Sequence, residues 1–217
     1  KFKRIKRCYR EQIYEIYIMS NKVDKIKIFD DVLDYSFRED LYSESISLPY
    51  KIGWQDREDK LEHKFLHSKI PKKWLKYKFI PQIQNEELKK MVDGKKIVES
   101  VINCSFAGET YFPHSHFDNS VFLYYVNLEW NREWYGETEF YSEDLNEIIF
   151  SNPYVPGRVI WFDGQIPHSV KPQSFIGPKY RFTLSIFFDK GESEVTNFLN
   201  PNKKMDKLNN FLKKNNE

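Results

Sequence analysis

The second half of the chain constrains the fold most. From Ile97 onward it breaks into short β-rich runs: Ile97–Ile102, Val121–Leu128, Thr138–Tyr141, Ile148–Phe150, Val159–Phe162, His168–Lys171 and Phe182–Phe188. Turn-forming stretches separate them, among them DNS, EWYG, NPYVPG, DGQIP and FIGPK. Short strands at this spacing specify an antiparallel barrel or a jelly roll. Such a fold needs enough apolar material for a core, and 40% hydrophobic and 17% aromatic residues supply it. A length of 217 residues fits one domain of this kind. The expected layout is a single domain over 1–217, with strands and helices over 10–95, the β core over 97–188, and a tail or helix over 190–217.

Before the core the pattern is mixed. Ile13–Ile18 and Val23–Phe29 read as strands joined by a turn at Asn21-Lys22. Asp30 or Asp31 is placed to cap a helix through Leu33, Phe37 and Leu41, whose four-residue spacing makes one apolar face. Tyr50–Trp54 reads as a strand. His63 and His67 stand four apart on an expected surface helix, a metal-binding spacing with no third ligand nearby. The stretch between Pro71 and Pro81 is of mixed character. Asn85–Val92 reads as a helix capped by Asn85 and followed by Gly94. At the ends, residues 1–7 form a solvated basic run, and Met205–Leu212 reads as a helix or part of a loose tail.

Charge and cysteine content narrow the function. With 34 basic and 32 acidic residues the net charge is +2, so nucleic acid is not an expected partner. Cys8 and Cys104 are the two cysteines, which points away from a disulfide scaffold and toward a cytoplasmic or other reducing compartment. No apolar run reaches the length of a membrane span. The basic KFKRIKR is not followed by the apolar segment of a secretory signal.

Chemistry concentrates in YFPHSHFDN, Tyr111–Asn119, where His114, His116 and Asp118 occupy alternate positions. On a strand, alternate residues share a face. His168 follows in GQIPHSV, and Arg181 heads the run RFTLSIFF. Two imidazoles and one carboxylate on one face of a metal leave three positions open. That set suits a non-haem Fe(II) centre that binds a bidentate co-substrate together with dioxygen. His116, Asp118 and His168 supply the carboxylate-containing set. His114-x-His116 is the other ligand pair the spacing allows, and otherwise His114 faces the substrate. Three of the five histidines fall in these two motifs, which weakens a purely structural role for them. Along RFTLSIFF, Arg181, Thr183 and Ser185 alternate with Phe182, Leu184 and Ile186. Such a polar face is either solvated or lines a cavity, where an arginine fork suits a carboxylate. In VFLYYVNL, Tyr125 and Asn127 share a face, and Tyr125 is placed to donate its hydroxyl to an acid unless both tyrosines are core aromatics.

These pieces resemble the prolyl-4-hydroxylase-like branch of the 2-oxoglutarate/Fe(II)-dependent dioxygenases. The matching segments are HFD at 116–118, YYVNLEW at 124–130, GETEF at 136–140, PGRVIWFDG at 156–164, IPHSV at 166–170 and YRFTLSIFF at 180–188, with KIFDDVL at 27–33 similar to the family's opening strand and helix. The resemblance implies a mainly β fold with flanking α-helices around a double-stranded β-helix (jelly-roll) core. It implies Fe(II) on His116, Asp118 and His168, and 2-oxoglutarate on Arg181 with Tyr125 and Thr183 beside it. Dioxygen would be the oxidant, and ascorbate an auxiliary reductant. Arg181 follows His168 at a longer interval than is usual in the family, the extra residues lying in the KPQSFIGPK loop; Lys179 is the alternative cation. Loops 129–136 and 171–179 would cover the mouth, with Trp130, Trp134, Asn127 and His114 toward the substrate. The implied reaction is hydroxylation of a C–H bond, on a prolyl or other protein side chain or on a small metabolite or sugar derivative. A cupin-like metal-dependent isomerase or a non-catalytic metal-binding module is the competing class. The oligomeric state is not specified by these motifs.

Overall fold

The computed structural model describes residues 22–116 and 118–191. The expected strand at Ile13–Ile18, the basic run at 1–7 and the helix at Met205–Leu212 lie outside the described residues. Residues 25–189 form one compact unit; 1–24 and 190–217 group as a second, of which only 22–24 and 190–191 are described.

The elements run β1 (Ile26–Phe29), α1 (Tyr35–Ser47), β2 (Lys51–Trp54), β3 (Phe65–Lys69), α2 (Lys72–Trp74), α3 (Glu86–Val92), β4 (Ile97–Phe106), β5 (Asn119–Tyr125), β6 (Thr138–Tyr141), β7 (Ile148–Asn152), β8 (Val159–Asp163), β9 (His168–Val170) and β10 (Tyr180–Asp189). A seven-stranded sheet has the order β1-β8-β5-β10-β4-β3-β2, and a three-stranded sheet the order β7-β6-β9. All pairs are antiparallel. The architecture is the mainly β jelly roll, with helices outside the large sheet.

Period-two alternation explains how the large sheet is buried on both faces. Phe122, Tyr124 and Val126, with Phe182, Leu184, Ile186 and Phe188, pack into one cluster with Leu41, Leu75, Phe79, Leu88 and Val92 from the helical layer. The intervening Val121, Leu123 and Tyr125 turn the other way, toward Phe140 of the small sheet and Phe162. Antiparallel sheets often leave one face wet; here the helices cover one side and the small sheet the other. Phe79 is the hub of the helical side. It closes a π-helical turn, Leu75–Phe79, that continues α2, and meets Phe122 and Tyr124 edge-on with centroids 5.9 Å apart. We expect Phe79→Ala to cost about 3–5 kcal/mol, read as a fall in the denaturant midpoint at unchanged slope.

The N-terminal half departs from expectation in three places. Val23 is not in a strand, and β1 starts at Ile26. The first long helix starts at Tyr35 after Asp34, which makes no side-chain cap bond, so neither Asp30 nor Asp31 caps it. His67 lies on β3, not on a helix, paired opposite Asn103 of β4, and His63 precedes that strand with its ring edge-on to Phe112 at 4.9 Å. Pairing with β4 overrides the local helical pattern of this charged stretch. α3 has the expected cap: the Asn85 side chain accepts from the Leu88 N–H at 2.9 Å, and Gly94 takes a left-handed φ of 67° beyond its end.

Candidate metal and co-substrate site

The cavity lies between the two sheets. Its polar wall comes from alternate residues of adjacent strands. On β10, Arg181, Thr183 and Ser185 line it; on β4, Asn103 and Ser105 do. Register puts Arg181 opposite Ser105 and Thr183 between Asn103 and Tyr125. Val121, Leu123, Phe162 and Phe187 form its apolar wall.

Three imidazoles converge at one end. The potential ligand atoms of His114, His116 and His168 all lie within 4.8 Å of one another. Backbone bonds fix this meeting. His114 and His168 exchange both of theirs, N to O at 3.1 and 3.0 Å, forming a single bridge on the edge of β9. The His116 N–H donates to the Gly164 carbonyl at 2.6 Å, and the Gly164 N–H to the Asn119 carbonyl at 2.9 Å. Backbone carbonyls fix the rings. Nδ1 of His168 lies 2.9 Å from the Ile166 carbonyl and Nδ1 of His114 lies 3.0 Å from that of Phe112. A carbonyl only accepts, so each Nδ1 carries a proton, which leaves Nε2 as the atom a neutral ring offers to a metal. Burial, with some repulsion from His114, lowers the His116 pKa to about 3. Burial, followed by His114 and His116, pushes His168 well below its ordinary value. Both rings are therefore neutral near pH 7. Asp118, by contrast, is exposed and outside this group, and the intervening Phe117 is not among the described residues.

Asp56, from the loop after β2, closes the same end. Its carboxylate accepts from the Phe112 N–H at 2.9 Å and lies 3.6 Å from His114 Nδ1. Burial raises its pKa, against the opposing pull of His114 and the Phe112 N–H.

At the polar end Arg181 is 2% exposed. Its guanidinium sits 4.8 Å from the Tyr154 ring centroid and 5.5 Å from that of Tyr125, yet Nε and Nη2 have no hydrogen-bond partner. A buried cation with unpaired donors is costly, so this end fits an anion. Tyr125 is fully buried, and its hydroxyl is shared with Thr138 Oγ1 at 2.7 Å and receives Asn152 Nδ2 at 3.3 Å. Thr138 itself lines the cavity, as does Tyr111. Lys179 is exposed.

Other candidates lie away from the cavity wall. Asn127 braces the start of β10: its Oδ1 accepts from Tyr154 Oη and the Phe182 N–H, both at 2.8 Å. Trp130 packs on Tyr154 at 4.4 Å and Trp134 edge-on to Trp130 at 5.8 Å, forming a rim behind Arg181. Sequence reasoning missed Asp56, Asn103, Ser105, Tyr111 and Thr138. Polar residues at alternate places in SVINCSF and GETEF were the available signal for the strand positions; nothing local marks Asp56.

No protein-family model matches the chain, and no curated protein matches it in sequence. Solved structures do. A prolyl hydroxylase from Trichoplax adhaerens, in complex with a hypoxia inducible factor oxygen degradation domain peptide fragment, superposes with a TM-score of 0.59 at 15% identity, covering 90% of this chain and 96% of that one. A Pseudomonas putida prolyl-4-hydroxylase gives 0.54 at 15% identity, covering 80% and 100%. A 2OG-Fe(II) oxygenase family oxidoreductase from Burkholderia pseudomallei gives 0.54 at 12%, covering 83% and 89%. At these identities the likeness is one of fold: the chain has the jelly-roll fold of the prolyl hydroxylases and 2OG-Fe(II) oxygenases.

Proposed function

We propose that the chain is a dioxygenase that uses Fe(II) and 2-oxoglutarate to hydroxylate a C–H bond, with a prolyl or other protein side chain as substrate. The observation that carries this reading is the buried Arg181 guanidinium, with Nε and Nη2 unpaired, in the same cavity as the converging imidazoles. A co-substrate with an acid at one end and a metal-chelating keto acid at the other uses both. His116 and His168 would hold the metal with a third donor beside them, for which the H-x-D pattern offers Asp118 and the converged rings offer His114. When bound, Fe(II), 2-oxoglutarate and dioxygen supply the oxidising power, the keto acid leaving as succinate and CO2.

The chain's own residues bind and shield. Arg181 pairs its free N–H groups with the distal carboxylate, and the Tyr125 and Tyr154 rings hold the guanidinium in place by cation–π contact. Thr183 offers a hydroxyl beside it, and Tyr125 sets Thr138 through their shared hydrogen bond. Phe187, centred 4.6 Å from the His116 ring, and Phe162, 4.7 Å from His168, keep water from the metal end. A cupin-like isomerase or a simple metal-binding module would leave the arginine without a task. The peptide complex of one structural neighbour supports a protein substrate here.

Succinate formation from 2-oxoglutarate tests the reaction. It is expected to require Fe(II) and to vanish in His168→Ala. Purified protein that binds neither the metal nor the keto acid would end the proposal. A peptide library and a metabolite pool, each scanned by mass for gain of one oxygen atom, then separate a protein substrate from a small metabolite or sugar derivative.

A further inference from the structure

We infer that the metal is held by three imidazoles, with His114 rather than Asp118 in the third place. The inference takes the identity of the metal from the proposed dioxygenase reading, but its ligand set stands on separate observations.

The backbone decides first. His114 and His168 are direct partners across an antiparallel bridge, so their side chains leave neighbouring strands side by side. Their ring centroids are 4.5 Å apart, and His116 lies 4.9 Å from His114 and 5.2 Å from His168. No imidazole of the three is an outlier. Two of the rings also have their far nitrogens occupied, Nδ1 of His168 lying 2.9 Å from the Ile166 carbonyl. His114 donates Nδ1–H to the Phe112 carbonyl, with Asp56 Oδ1 3.6 Å away. Side-chain exposures of 14% for His114 and 8% for Asp56 show that the pair is built into the cavity wall. The Phe112 carbonyl that takes the His114 proton fixes the ring's orientation, as a hydrogen-bond acceptor behind a metal-bound histidine does. The Asp56 carboxylate, which accepts from the Phe112 N–H at 2.9 Å, places a negative charge beside it. Asp118 has none of this: it is exposed and stands outside the cluster.

Charge is conserved by the exchange. Replacing a direct carboxylate with a neutral imidazole would leave the cation less compensated, and Asp56 restores a negative charge one residue further out, through His114. The protein would still provide three donors, so three positions stay open for a bidentate keto acid and dioxygen. Asp56 is then a positioning residue.

Cu(II) bound to the full chain, followed by electron paramagnetic resonance, tests this by counting coordinated nitrogens. Wild type is expected to show three. His114→Ala should show two and weaken Cu(II) binding at least as much as the ~10–100-fold typical for loss of an outer partner. Asp56→Asn should keep three nitrogens and lose affinity within that range, while Asp118→Asn should change neither. The wild-type count needs no variant to fold. Two nitrogens in wild type, or loss of Cu(II) binding in a folded Asp118→Asn with His114→Ala unaffected, would overturn the inference and leave the dioxygenase proposal standing. Three nitrogens without Fe(II)-dependent succinate formation would do the reverse.

Discussion

Replacing Arg181 with Met is expected to raise the 2-oxoglutarate concentration needed for half-saturation by roughly 30- to 4,000-fold, the effect of removing one partner of a buried charge pair worth about 2–5 kcal/mol. Succinate formation at ordinary co-substrate levels should fall with it, and Cu(II) affinity should not. Stability should move the other way. In the protein alone, Nε and Nη2 of Arg181 are buried and unpaired, a state partly offset by the two tyrosine rings. Exchanging an uncompensated buried charge for an apolar side chain of similar length is neutral or stabilising. The variant should therefore melt at or above the wild-type temperature without co-substrate, and gain less than wild type when 2-oxoglutarate is added. A variant that lost stability while keeping its co-substrate affinity would assign Arg181 to the core.

Gly164→Ala is expected to damage fold and metal site together. A Cβ there would stand 2.4 Å from the His116 carbonyl oxygen and 2.6 Å from that of Asn119. Both obstacles are backbone, and the same residue already receives the His116 N–H and donates to Asn119. The segment carrying His116 must move or the chain must not close, so we expect a loss of about 1–3 kcal/mol or more with weakened Cu(II) binding. Gly94→Ala is the control. Its φ of +67° costs about 1–2 kcal/mol, but nothing lies within 4 Å of the added carbon, and metal binding should be unchanged.

What was legible in the sequence follows a physical division. Strands whose two faces are both buried declared themselves, because apolar residues fill every position or alternate with a marked polar set. Val159–Phe162 is found as expected within β8 and is buried throughout, and the alternation in RFTLSIFF separates the helix-facing Phe182, Leu184 and Ile186 from the cavity-facing Arg181, Thr183 and Ser185. The Asn85 cap was legible because capping is a local interaction. The strand expected at Tyr50–Trp54 is found as β2 at Lys51–Trp54, but β3 was harder: a charged connection leads into it, and it owes its form to its partner β4 across the sheet. Asp56 could not be found from its neighbours. Only the path of that connection, which brings its carboxylate to the Phe112 N–H, places it beside histidines far along the chain. The exposure of Asp118 was equally hidden, since alternation along YFPHSHFDN treats 114, 116 and 118 alike.

The aromatic wall has an optical consequence. Trp54 lines the cavity and stacks on Phe187 at 6.1 Å, and Phe187 meets His116 edge-on. One indole of the five in the chain is thereby two rings from the proposed metal. A paramagnetic ion seated there would quench its fluorescence, so occupancy could be followed by emission alone, with no label attached and no turnover required.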